Sequence, residues 1–313
     1  MYPESKEILQ DRALLFSKVR SFFAQRNILE VDTPLLSHFA PIDEHIDVME
    51  VSLGEGKQGY LHTSPEYAMK RLLSSGLGEI FQLSHVFRKG EISNKHNPEF
   101  TMIEWYRLHE DFPLFIEETL DLIRLFLSDL PSSFLSYRQT FLRFAKIDYL
   151  HASKEELIHC LKSHGIDPPS SPLDKDTLLT LILGCIIEPH LGKEELFVLM
   201  DYPISQAALA QAVQKGEERV AKRFEVYYQG IELANGYLEL TEAKEQRSRL
   251  IESNAKRLQQ GKNSLPIDEF FLAALEKGLP PCCGVAVGFD RLMQLRHKTE
   301  TIQEVLPFGW SKT

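Results

Sequence analysis

Near the start of the chain, apolar residues recur at helical spacing. Ile8, Leu9, Leu14, Leu15, Val19, Phe22 and Phe23 share one side of a 3.6-residue repeat, which predicts an amphipathic helix over 7–26. The period then shortens toward two. "ILEVDTPLL" reads as a strand closed by Pro34, and "DVMEVSL" and "GYLHTS" read as two more. "SPEYAMKRLLSSG" returns to a helix, with Ser64 as N-cap, Pro65 at the first helical position and Gly76 past the end. Over 81–108, two β-like runs flank a loop rich in Gly, Asn, Lys and Pro, which is a hairpin pattern. Downstream come a helix near 113–129, a strand-like "SYRQTFLRF" and a mainly helical region from 153 to 190. The loop "GIDPPSSPLDKD" inside that region is the expected mobile segment or insertion boundary. Strand character returns in "LFVLMDYP", "RFEVYYQGIELANGYLELT" and "GVAVGF", with a charged helix at 242–260 between the last two. There is no internal repeat. Strands from both ends of the chain with helices between them predict one α+β domain, 1–313, around an antiparallel sheet.

Composition narrows the function classes. A chain of 43% hydrophobic and 26% charged residues is that of a soluble globular protein. Its net charge of −10 does not support a broad nucleic-acid footprint, although a small basic contact remains compatible. "LLTLILGCII" is too short to span a bilayer and reads as a buried helix. "MYPESKEILQDR" has no apolar signal core, so a cytoplasmic location is expected. Cys160, Cys185, Cys282 and Cys283 lack CxxC spacing and read as reduced core residues, with a redox role for the adjacent pair as the alternative. The histidines show no HExxH spacing, so no histidine metal site is expected.

Three stretches carry candidate chemistry. On the second hairpin run, Phe100, Met102, Glu104 and Tyr106 share a face. A ring, a carboxylate and a phenol there suit a ligand platform, or an ordinary half-buried strand. In "GIELANGYLELTEAKEQ", Glu232 and Glu239 would point oppositely on a straight strand, and Asn235–Gly236 is a turn or bulge signal that could re-aim one. Converging carboxylates suit Mg²⁺ or an ammonium group; solvated glutamates on a hairpin are the alternative. In "GVAVGFDRLMQL", Gly284, Ala286 and Gly288 leave a shallow floor, Asp290 can cap the next helix, and Arg291 is placed to meet a phosphate.

In this order the stretches resemble the catalytic domain of a class II aminoacyl-tRNA synthetase, closest to the lysyl type. "FFAQRNILEVDTPLL" resembles motif 1, whose proline (Pro34) implies a homodimer interface. "FRKGEISNKHNPEFTMIEWY" resembles motif 2 and "GVAVGFDRL" motif 3, while "TSPEYAMKRLL" and "GIELANGYLEL" resemble the amino-acid and ATP segments of lysyl enzymes. The resemblance implies ATP and Mg²⁺ as cofactors. It implies ATP contacts from Arg88, Lys89, Gly90, Glu91, Asn97, Phe100, Glu232, Leu233, Gly288 and Arg291. Of these, Arg88, Arg291 and Glu232 would be catalytic, and Glu232 and Glu239 are the implied Mg²⁺ ligands. Ser64, Pro65, Glu66, Glu104, Tyr106, Glu239 and Ala286 would bind the amino acid.

Three departures refine this expectation. Motif 1 begins within the first turns, so no anticodon-binding domain is expected before it. The chain thereby resembles the free-standing lysyl-synthetase paralogues that ligate a lysine-type group, (R)-β-lysine, to a lysine of elongation factor P, with tRNA not expected as partner. Ala286 stands where lysyl enzymes carry glycine, and its methyl group would select the β-isomer or simply pack. Gly90 stands where motif 2 expects glutamate; Glu91 or backbone groups would take that role, or the site would be silent. A truncated lysyl-tRNA synthetase using α-lysine and a catalytically silent regulatory paralogue are the competing readings.

Overall fold

The computed structural model describes residues 5–109, 111–169 and 173–313. They fall into two compact units: the chain up to residue 128 together with 238–313, and residues 129–237.

The first unit opens with α1 (Lys6–Ala24), where the Ser5 side chain accepts the Ile8 N–H. Helix α1 buries Leu15, Val19, Phe22 and Phe23, and Phe23 stacks on Phe81 at 4.2 Å between centroids. Burying each such side chain stabilises by roughly 1.5–3 kcal/mol. "ILEVDTPLL" does not form one strand. It pairs only at its ends, as β1 (Leu29–Glu30) beside 80–81 and β2 (Leu36–Ser37) beside 60–61. Pro34, which has no N–H to donate, lies in the unpaired middle. Strands β3 (Met49–Gly54) and β4 (Lys57–Leu61) complete a small antiparallel sheet with β2. Helix α2 (Glu66–Ser74) starts one residue later than expected, with Ser64 Oγ accepting the Glu66 N–H at 3.1 Å. The predicted hairpin is present as β5 (Ile80–Phe87) and β6 (Glu99–Leu108), followed by α3 (Phe112–Leu127).

The second unit contains β7 (Ser132–Ser136), which runs parallel to β8 (Leu196–Pro203). "SYRQTFLRF" is helical rather than extended. A Ser136–Gln139 capping box opens α4 (Tyr137–Thr140), which runs on into a wider turn over Phe141–Ala145. Helices α5 (Lys154–Ser163) and α6 (Lys175–Ile182) flank the expected mobile loop, whose centre, 170–172, lies outside the described residues. Strands β9 (Ala212–Lys215), β10 (Glu218–Tyr228) and β11 (Ile231–Leu238) follow, with β10 antiparallel to β8, β9 and β11. Asn235–Gly236 is no turn: both residues pair with β10 in the middle of β11. The turn lies at Gln229–Gly230, whose φ values of 50° and 70° supply the left-handed pair a tight hairpin needs. The bulge lies in β11 itself, beside Glu232: Val226 pairs with Ala234 and Tyr227 with Glu232, which leaves Leu233 as the extra residue.

The chain then returns to the first unit with α7 (Ala243–Gln259), α8 (Glu269–Gly278), β12 (Cys282–Gly288) and α9 (Phe289–His297). Helix α8, not anticipated from the sequence, is capped by Asp268 and stacks Phe271 on Tyr67 of α2. Strand β12 lies antiparallel to β6, and β6 to β5, so Gln82, Glu104 and Ala286 form one cross-strand row and Ile80, Tyr106 and Gly284 another. Asp290 is the second residue of α9, and Gly288 occupies the N-cap. The capping role expected of Asp290 is replaced by a longer-range one: its carboxylate pairs with Arg12 of α1 and accepts the Thr101 N–H. The Arg12 guanidinium lies 5.0 and 4.9 Å from the Phe16 and Phe289 ring centroids. The start of α9 is thereby tied to both α1 and β6.

Candidate active site

The sheet face formed by β5, β6 and β12 carries an acidic pocket. Tyr106 Oη donates to Glu104 Oε1 at 2.8 Å, two residues along one face of β6. Beside them the Lys70 ammonium donates to Glu66 Oε1 at 2.5 Å and pairs with Glu239 Oε2 at 2.6 Å. Lys70, Glu104 and Glu239 are 0%, 3% and 1% exposed, so three ionisable side chains leave water together. Such groups stay buried only when paired. The pocket floor is Gly284: a Cβ there would lie 2.3 Å from both Glu239 Oε1 and Tyr106 Cε1. The absent side chain is thus a packing requirement, stronger than the shallow floor inferred from the glycine spacing. Ala286 sits opposite Glu104 and is half-buried.

These surroundings shift the carboxyl groups. Burial pushes Glu104 up to about 8; the nearby Glu66 adds to the rise, and the Tyr106 phenol and Ser64 hydroxyl only partly oppose it. Burial raises Glu239 too, against the Lys70 ammonium beside it. Burial alone would lower Lys70, but Glu239 and Glu66 more than offset that and hold it protonated. Both carboxyl groups are thereby raised, and of the two only Glu239 has the Lys70 ammonium beside it. Glu104 Oε2 has no well-formed hydrogen bond, and neither have Gln82 Nε2 and Ser84 Oγ on the same sheet face. Buried polar atoms are rarely left so.

Motif 2 and α9 supply the positive charge. Arg88 follows β5, lies 5.1 Å from the Phe100 ring centroid and pairs with Glu91 at 3.7 Å. Gly90 lies at φ 81°, and the next residue, Glu91, faces Arg88. The exposed Lys89 donates its N–H to Asp47. Arg291, in the first turn of α9, donates to His96 Nε2 at 2.9 Å. Burial and Arg291 push the His96 imidazole below its ordinary value, which suits a neutral acceptor. Asn97 is buried and engaged by the chain itself, donating to Glu99 O at 2.7 Å and accepting the Trp310 N–H at 3.0 Å. Gly288 would tolerate a Cβ without close contact, lying 3.6 Å from the Arg291 side chain.

Glu232 and Leu233 belong to β11 in the second unit, Glu232 half-buried and Leu233 buried. Burial alone would lower Arg223, but Tyr237, Glu225, Tyr202 and, least, Glu232 hold it protonated, and it pairs with the buried Glu225, which accepts from the Tyr202 and Tyr227 hydroxyls. That cluster was not singled out from the sequence; Arg223 and Glu225 at i, i+2 were its visible sign. Lys70 was missed as well, although its spacing of four from Glu66 on a helix was legible. Among the described residues, no three His, Cys, Asp or Glu side chains gather as a metal cage.

The sequence matches tRNA synthetases class II (D, K and N) over residues 1–312. The chain belongs to this family. It is accordingly an ATP-dependent ligase, and the class II synthetases of this group include close relatives. An elongation factor P–(R)-β-lysine ligase of Salmonella typhi is 45% identical over 306 residues, covering 96% of this chain and 94% of the relative. Proteins of the same name from Haemophilus influenzae and Pasteurella multocida are 45% and 42% identical, covering 95% and 97% of this chain and 93% and 95% of their own lengths. The expected α+β class II architecture stands: mostly antiparallel strands are flanked by helices. No described helix is long and apolar enough to cross a membrane.

Proposed function

We propose that this synthetase-family ligase adenylates a lysine-type amino acid, (R)-β-lysine, and transfers it to a lysine ε-amine of elongation factor P. The relatives' shared name supports the reaction, and the acidic pocket supports the substrate class. The observation that carries the reading is the burial of Glu104 beside Glu66 and Glu239, three carboxyl groups against one internal ammonium. A diamino acid supplies the missing positive charge.

In the first step a carboxylate oxygen of the amino acid attacks the ATP α-phosphorus, and the bond to pyrophosphate breaks. Such a transfer needs positioning and charge stabilisation rather than a protein nucleophile. Arg88 holds the α-phosphate, Arg291 the γ-phosphate, and Phe100 the adenine, with Lys89, Gly90, Glu91, Asn97 and Gly288 lining the nucleotide. Arg291 exchanges its His96 contact for phosphate. Mg²⁺, when bound with the nucleotide, would neutralise charge on its phosphates. Glu232 is the acid assigned to it, because Glu239 is committed to Lys70. Ser64, Pro65 and Glu66 border the backbone end of the amino acid, and Glu104, Tyr106 and Glu239 hold its ammonium groups. In the second step the acceptor nitrogen attacks the mixed-anhydride carbon, AMP leaves, and the amine gives up one proton as the amide forms.

The Ala286 methyl, in the same cross-strand row as Glu104, selects the isomer whose amino group is displaced from the α-carbon. One methyl group discriminates by about 1–3 kcal/mol. The chain acts as one catalytic domain in the cytoplasm and forms a homodimer through motif 1, where exposed Leu29, Leu35 and Leu36 flank Pro34. ATP–pyrophosphate exchange with α-lysine and (R)-β-lysine tests this reading. Preference for the β-isomer is expected. Preference for α-lysine would instead favour the truncated lysyl-tRNA synthetase, and no exchange with either a silent paralogue.

A further inference from the structure

The pocket contains one charged side chain that none of these roles uses. Lys70 points inward from α2 one turn after Glu66, is fully buried, and shares its ammonium between Glu66 on its own helix and Glu239 after β11. We propose that Lys70 is a positioning residue, an internal ammonium that fixes Glu66 and Glu239 so that the pocket favours amino acids with two ammonium groups over those with one. The inference rests on reading this pocket as the lysine-type site.

The geometry has two halves. Lys70 takes Glu239 Oε2 at 2.6 Å, and the absent side chain of Gly284 makes room for Oε1 against the Tyr106 ring. One contact pulls the carboxylate and the other clears its place. Glu239 Oε1 is thereby set over the same floor as the Tyr106–Glu104 pair. Charge points the same way. Glu66, Glu104 and Glu239 face a single cation, and two further positive charges balance the site. Without Lys70, two carboxylates that now share one ammonium would stand side by side in a dry pocket. Like charges so placed draw together on a shared proton, and Glu239 would leave its position over Gly284. Lys70 therefore acts through Glu239 and Glu66 and touches no substrate.

Full-length Lys70→Met and Lys70→Arg variants test this by pyrophosphate exchange. The substrates are (R)-β-lysine and the same amino acid with a methyl group in place of its terminal ammonium. In Lys70→Met, the KM for the diamino acid should rise about 30-fold or more while kcat changes by less than about 3-fold, because a fixed charge pairing is lost and the reacting end is untouched. Discrimination between the two substrates should fall at least about 10-fold, and Lys70→Arg should restore most of it. Equal losses on both substrates, or a loss confined to kcat, would show a merely structural lysine and overturn the proposal. If Lys70→Met does not fold, a folded Lys70→Arg that keeps the discrimination supports the proposal, and one that loses it overturns it. Absence of exchange by the unmodified enzyme with any diamino acid would sink the pocket assignment itself, and this inference with it.

Discussion

Replacing Glu104 with glutamine should make the empty enzyme more stable and a poorer catalyst. The carboxyl is raised from 4.5 to about 8 by burial, so ionising it inside the fold costs free energy that the unfolded chain does not spend. Its folded value is the higher one, so the favourable balance is complete below pH 4.5 and is lost as pH rises to about 8. At pH 7 the interval above 4.5, at about 1.4 kcal/mol per decade, amounts to roughly 3 kcal/mol. Glutamine keeps the shape and carries no charge, so Glu104→Gln should recover much of this. For a unit of this size that is a rise of about 8 °C in Tm at pH 7, shrinking to nearly nothing at pH 4.5. Thermal unfolding of both proteins across that range reads the difference directly. Pyrophosphate exchange on the same samples should show the KM for the diamino acid raised about 100-fold, since removing one partner of a buried ion pair is strongly destabilising. A Tm difference that ignores pH, or a KM left at its original value, would refute the assignment of Glu104 as a neutral carboxyl that ionises to meet substrate.

Other substitutions probe the remaining parts of the site. Arg291→Ala should lower adenylation at least about 1,000-fold, the scale of a lost transition-state charge contact, and near-normal pyrophosphate exchange would remove Arg291 from the phosphate site. Ala286→Gly should shift the ratio of kcat/KM for α- over β-lysine upward by about 10- to 100-fold; an unchanged ratio would leave Ala286 as packing only. Gly284→Ala should destabilise the protein by about 1–3 kcal/mol and raise the amino-acid KM, because its Cβ would meet Glu239 Oε1 and Tyr106 at 2.3 Å. Wild-type denaturant midpoint and KM in that variant would contradict the close packing of the floor.

Local signals in the sequence were legible where one element decided the outcome. The Ser64 start of α2, the β5–β6 hairpin and the shared face of Glu104 and Tyr106 follow from spacing alone. Asn235–Gly236 misled because it is a turn signal only where pairing stops, and here both residues are paired to β10 while Gln229–Gly230 makes the turn. "SYRQTFLRF" misled because its aromatic residues favour strands, although Tyr137 and Phe141 stack at helical spacing behind a capping box. Asp290 was assigned to the nearest backbone N–H groups, whereas its partner, Arg12, lies at the other end of the chain. The Lys70–Glu239 pair was hidden for the same reason. Long-range pairings of charge carry no periodicity, so spacing cannot announce them.

Ligation to a protein is tested most directly by intact-mass analysis of elongation factor P. The acceptor is incubated with enzyme, ATP and (R)-β-lysine, with a lysine-free acceptor variant and an ATP-free reaction as controls. A mass increase of one lysyl residue, dependent on ATP and on a single acceptor lysine, is the expected result. Pyrophosphate exchange without any mass increase, together with charging of lysine tRNA by the same preparation, would contradict it.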